Sequence, residues 1–492
     1  MHAPPSSRGP SPLLPLAYLV CAAAAFLLAS IGVAWLAPEL AGHYYHPHLL
    51  ALTHTVTLGW ITLAIMGASY QLIPIVLERP IWSERLARWQ LVILVLAVLG
   101  MVPHFYLGTW PGLAGAAALL AVGVVLYLLN VGLSLRGFSQ WTLTARLVTV
   151  GYAGLAATTL FGLTLAVNRI WPFLPSEFFP TLHAHVQLAL LGWVTPMILG
   201  VAARVYPMFL LAPTPRRWAS RWQLWGLALG VPSVVAGLLI GLSVLLVAGA
   251  LAVAAAALAH ASWVLDTARS RKRPGLDWGL RFVLTATAFV VPASGLGLAL
   301  ATGALSGPRA ALAYAVVVLG GWASLTIVGM MLKIVPFLVW YRAYSPRAGR
   351  ERVPSLVQIS SPRLEALAYA LLTGGVGLLA VAVSFGEAAW IRAAGLALAL
   401  GAAAFAAALG RILGHLFNAG ASKWPPHSPS SGPGPTTRSA HQASAPHSSP
   451  SSGPGLTMRS AHQVSAPHSA GPESRGAPPD SRAPHMPAER AR

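Results

Sequence analysis

Charge is what this sequence has least of. Only 9% of its 492 residues are charged, and only 12 are Asp or Glu. A soluble domain carries roughly 25% charged residues, so an ordinary soluble globule is excluded. Cysteine occurs once, at Cys21. That excludes an intramolecular disulfide framework and cysteine-ligated zinc or iron–sulfur sites. Cys21 lies in an apolar run and reads as a small buried hydrophobe.

What is there is apolar length. Hydrophobic residues make up 56% of the chain. A helix that crosses a bilayer needs about 20 mostly apolar residues. Twelve such segments start near Leu13, Leu49, Gln90, Gly112, Leu143, Thr181, Gln223, Val244, Leu280, Ala310, Leu364 and Ala388. No polar loop separates the seventh from the eighth, around Gly241 to Val244. The first run, Leu13 to Leu36, exceeds a typical signal core and reads as a retained span. The expected fold class is an all-α integral membrane protein.

The net charge of +20 takes its meaning from where the cations sit. Alternate loops hold eighteen Lys and Arg residues, whereas those facing the other way hold Arg169, Arg309 and Arg392. Cytoplasmic loops attract Lys and Arg. Both termini are therefore expected in the cytoplasm of a bacterial-type inner membrane, with a lipid bilayer and no nucleic acid as partner. Residues 1–12 form a short N-terminus and 13–416 the membrane domain. Residues 423–492 form a Pro-, Ser- and His-rich tail, expected to be disordered. In it Ser428–Ser448 recurs as Ser449–Ser469, a period of 21.

A longer repeat runs through the membrane domain. Gly-Trp, six residues, Gly, six residues and Pro occur at 59–74, 192–207 and 321–336. The copies start 133 and 129 residues apart, so each unit is four helices and all three point the same way. Twelve helices thus form a threefold pseudo-repeat. The paired glycines permit close approach of a helix or a flat ligand. The proline is placed to end or kink its helix.

Ionisable groups inside a membrane are functional candidates. His54 lies five residues before Gly59, and His185 and His183 lie seven and nine before Gly192. The repeat sets them at nearly one depth, two residues or about 3 Å apart along a helix. Imidazole nitrogen suits heme iron and copper. Two such side chains on separate helices can clamp a planar macrocycle. Hydrogen bonding to a carbonyl, or a place at the headgroup boundary, is the alternative. His43, His46 and His48 read as an interfacial loop, and His260 and His415 as interfacial side chains. Arg204 and Lys333 read as cations reaching the nearer membrane surface.

His54-Thr55 with Gly67-Ala68-Ser69-Tyr70-Gln71-Leu72-Ile73-Pro74, and His183-Ala184-His185 before Gly192-Trp193, carry a resemblance. The chain resembles the catalytic subunit I of heme-copper oxidases, nearest the branch of cbb-type cytochrome oxidases and nitric oxide reductases. It is also similar to the NnrS-type heme- and copper-containing membrane proteins. The resemblance covers residues 13 to 416 in architecture. It implies heme b, with copper as a further candidate. It implies His54 and His185 as ligands and His183 as an alternate ligand. Gly59, Trp60, Gly192 and Trp193 would then pack the ring. It implies electron transfer, or binding or reduction of oxygen or nitric oxide, with respiratory subunits or a cytochrome donor as partners. An enzyme of this kind would be an oxidoreductase of the terminal oxidase or nitric oxide reductase type. The family's copper ligands lie on its sixth and seventh helices and heme ligands on its tenth; here the seventh span, Gln223 to Leu239, and the tenth, Ala310 to Trp340, hold no histidine. A transporter or channel, or an assembly partner without redox chemistry, stays open beside this reading.

Overall fold

A computed structural model describes residues 11–418, apart from 77–78, 175, 213–216 and 273–274. The tail expected at 423–492 lies outside the described residues, as do residues 1–10. Among the described residues twelve helices are long and apolar enough to cross a membrane, and none forms a strand. They are α1 Leu13–Trp35, α2 Pro47–Pro74, α3 Glu84–Leu107, α4 Trp110–Ser134, α5 Leu143–Asn168 and α6 Phe178–Leu210. The others are α7 Arg217–Ile240, α8 Ser243–Arg269, α9 Trp278–Ala301, α10 Pro308–Ala343, α11 Pro362–Phe385 and α12 Ala388–Phe417. The protein is an all-α, multi-pass integral membrane protein. The break between α7 and α8 falls at Gly241, in the left-handed region at φ 69°, where only glycine sits without strain.

The three repeat helices form the centre. Burial covers 56, 72 and 78% of the apolar stretches of α2, α6 and α10, against 22–44% for the other nine. Each leans on the helix that opens its own unit. A Cβ at Gly67 would stand 2.5 Å from Tyr18 Cβ on α1. One at Gly200 would stand 3.1 Å from Leu147 Cβ on α5, and one at Gly329 2.5 Å from the Gly279 carbonyl on α9. The glycine pattern is therefore a helix-packing code repeated three times.

In α6 and α10 the proline does not end the helix. α6 and α10 run on past Pro207 and Pro336 to Leu210 and Ala343. A second device appears instead. Thr55–Thr62, Leu188–Val194 and Val316–Ser324 are wide helical turns with i→i+5 hydrogen bonds, a form frequent at functional sites. All three contain the Gly-Trp pair. Such turns leave carbonyls displaced from their usual partners. Thr195 and Ser324 donate their hydroxyls back to the carbonyls of Leu190 and Leu319, five residues earlier.

Candidate functional site

The N-terminal halves of α2 and α6 bring together two histidines that are far apart in sequence. His54 Nδ1 lies 2.7 Å from the Leu50 carbonyl, one turn back on its own helix. Its ring stacks on Phe105 of α3, with centroids 4.4 Å apart. His185 Nδ1 lies 3.0 Å from the Thr158 carbonyl of α5. The adjacent Gly162 makes room for it, because a Cβ there would stand 2.9 Å from His185 Cε1. A carbonyl only accepts, so each Nδ1 carries the proton and each ring is held as the tautomer with a bare Nε2. Neither Nε2 has a hydrogen-bond partner among the described residues. This is the arrangement of a metal-binding imidazole, in which a bond at one nitrogen orients the ring and leaves the other free.

Both histidines wall the same two cavities. The smaller, of about 140 Å³, lies between α2 and α6 and is closed by α3, α4 and α5. The larger, of about 600 Å³, lies between α6 and α10 and is backed by α7, α8 and α9. Tyr45 borders both, while Tyr44 and His183 border the larger. Arg169 borders the smaller. Its guanidinium lies 4.1 Å from the Trp110 ring centre, 5.6 Å from Tyr45 and 5.8 Å from Phe178. Burial raises the phenols of Tyr44 and Tyr45, and Arg169 partly offsets this at Tyr45.

The other candidates separate. His183 Nε2 is engaged by the Tyr44 hydroxyl at 3.0 Å. Trp193 lines the smaller cavity. Gly59, Trp60 and Gly192 border neither cavity. Gly59 packs on Ala25, and Gly192 presents its carbonyl to Gly154 of α5. Trp60 is fully buried and donates to Ser324 of α10. Helix packing thus takes up three positions expected to pack a ring.

Among the described residues no group of three or more His, Cys, Asp or Glu side chains converges as a metal site. In the first turn of α2, His48 Nδ1 meets Glu39 Oε1 at 3.0 Å, and His46, just before that helix, accepts from the His48 backbone N–H. His260, expected at an interface, is instead enclosed, because α8 turns it inward between Gln223, Trp263 and Trp322. Lys333 pairs with Asp277, which caps α9. Arg204 is exposed. Neither cation borders either of these two cavities.

Sequence reasoning missed Phe105, Gly162 and Arg169. Phe105 and Gly162 lie on helices outside the repeat motif, and only folding sets them beside the histidines. Arg169 was legible as one of three cations on the arginine-poor side.

No protein-family model matches the chain. It is similar to a quinol oxidase subunit. That relative, quinol oxidase subunit 1 of Sulfolobus acidocaldarius, is 25% identical over 179 residues. The match covers 34% of this chain and 34% of the relative, so the chain spans about a third of that protein's length. The similarity is distant, and it agrees with an oxidase-like membrane protein.

Proposed function

We propose that the protein binds a heme at His54 and His185 and uses it for electron transfer or for binding a diatomic gas. One observation carries this reading. Two imidazoles from different helices face shared cavities, each tied by Nδ1 to a backbone carbonyl and bare at Nε2. When bound, the heme would supply an iron that changes oxidation state, and oxygen or nitric oxide would bind it only in exchange for one of the two imidazoles. The chain would do the rest. The Leu50 and Thr158 carbonyls would aim the rings, and Phe105 would hold His54 flat. Arg169, on the arginine-poor side, would offer a cation to a carboxylate. The largely apolar walls would exclude water. Lys and Arg placement puts the arginine-rich loops and both membrane-domain ends in the cytoplasm. Copper would need ligands beyond the described set.

The visible spectrum of detergent-purified protein tests this. A Soret band that shifts on dithionite reduction is expected, and it should be lost in His54→Ala and in His185→Ala. Stoichiometric protein without a Soret band would refute the reading. A full, unchanged spectrum in His54→Ala would remove that residue from the site.

A further inference from the structure

The pseudo-threefold centre has three seams, and two are closed by the same bond. At the α6–α2 seam, Trp193 Nε1 donates to Thr62 Oγ1 at 3.2 Å. At the α2–α10 seam, Trp60 Nε1 donates to Ser324 Oγ at 3.0 Å. Each donor is the repeat tryptophan, and each acceptor is the hydroxyl three residues after the repeat glycine. At the α10–α6 seam the same rule calls for Trp322 to donate to Thr195. That bond is missing. Thr195 donates to Leu190 just as Ser324 donates to Leu319, but it accepts nothing from Trp322, whose Nε1 has no partner among the described residues. The 600 Å³ cavity stands in its place, bordered by both residues.

Trp322 is 95% buried, with 5% of its surface exposed. His260 meets its ring edge-on at 5.6 Å, which braces the indole. A second donor lies higher in the same cavity. Gln187 accepts from the Tyr314 hydroxyl through Oε1, and its amide nitrogen has no partner among the described residues. By repeat register the two donors are six residues, about 9 Å, apart along the helix axes. The remaining wall is largely apolar, including Val234, Leu246, Ala250 and Val253. Both N–H groups are open to the cavity and without a protein acceptor among the described residues, so an oxygen placed there gains a hydrogen bond.

We propose that this cavity binds a lipid-soluble carbonyl compound whose oxygen accepts from Trp322 Nε1. An apolar skeleton fits the walls, and the carbonyl replaces the hydroxyl that closes the other two seams. The cavity shares His54 and His185 as part of its wall, but the carbonyl contact is made by Trp322 and needs neither histidine.

The test uses the purified full chain and three probes: a decyl-naphthoquinone, 2-undecanone and decylbenzene, with affinities read by calorimetry in detergent. One or both carbonyl probes should bind saturably and decylbenzene at least fivefold more weakly. The quinone and the ketone distinguish a ring carbonyl from an aliphatic one. Trp322→Phe keeps an apolar ring, removes the donor and should weaken carbonyl binding about five- to tenfold. Ala254→Phe fills the cavity with Trp322 intact and should abolish binding while the protein stays monodisperse; it decides the matter if Trp322→Phe does not fold. Saturable carbonyl binding by protein that shows no Soret band would uphold this site while refuting the histidine reading, so the two fail separately. Equal affinity for decylbenzene, no binding by either carbonyl probe, or unchanged binding in Trp322→Phe or Ala254→Phe would overturn the proposal.

Discussion

Trp60 of α2 donates its indole N–H to the Ser324 hydroxyl of α10, 3.0 Å away and 264 positions along the chain. The bond joins the first repeat unit to the third. It is buried, so its loss strands a donor where no water reaches. Ser324→Ala should lower unfolding free energy by about 1–2 kcal/mol, read from thermal melting in detergent. Trp60→Phe combined with Ser324→Ala should cost clearly less than the sum of the two single changes. Strict additivity would show that the contact contributes nothing.

Two glycines separate packing from mere flexibility. A Cβ at Gly154 would collide with the Gly192 carbonyl, which is backbone and cannot swing away. Gly154→Ala should therefore destabilise by several kcal/mol or prevent folding. A Cβ at Gly115 of α4 meets nothing within 4 Å. Gly115→Ala should be neutral, or stabilising by up to about 1 kcal/mol through helix propensity. Similar melting of both variants would contradict the close α5–α6 approach.

Gly162 is placed to tune His185 without touching a ligand. A Cβ there crowds His185 Cε1 at 2.9 Å, and the ring must turn off the Thr158 carbonyl. Gly162→Ala should retain the fold by circular dichroism yet reduce any heme stoichiometry or shift the Soret maximum. A spectrum identical to the parent would detach Gly162 from the site.

Lys333 is a structural cation. It pairs with Asp277, and Glu365, the nearly buried carboxylate at the start of α11, lies in the same electrostatic neighbourhood. Lys333→Met would leave the carboxylates to repel each other and should destabilise by about 1–3 kcal/mol. Lys333→Arg should restore most of that. The comparison is read by melting temperature in the same detergent.

Glu39 gives a pH dependence with a definite sign. Partial burial pushes its carboxyl up, but the His48 hydrogen bond and its own backbone together hold it below the ordinary value of 4.5. A carboxyl depressed by folding stabilises above its unfolded pKa, and that stabilisation fades as pH falls through the folded value. Melting temperature should drop from pH 5 toward pH 3, and Glu39→Gln should flatten part of the drop. An unchanged slope would dismiss the pair as a contributor.

Much of the architecture was written in one dimension. Apolar length set twelve spans, because a bilayer admits only segments that satisfy their own backbone. The expected starts fall within about six residues of the observed ones, since hydrophobic length is a local property. The Gly-Trp-Gly spacing identified the central helices, because only small residues allow backbones to approach. His54 and His185 stood out because ionisable groups in apolar runs are rare. What depends on partners distant in sequence was not legible. The wide turns at Gly-Trp arise from packing, and propensity carries no signal for them. Gly59 and Trp60 serve helix contact because α1 and α10 arrive there. His260 is enclosed because α7 and the central helices cover it. The open third seam is the clearest case. It has the same Gly-Trp pair and the same hydroxyl three residues after the glycine as the other two, and only the positions of α6 and α10 decide that Trp322 faces a cavity and not a hydroxyl.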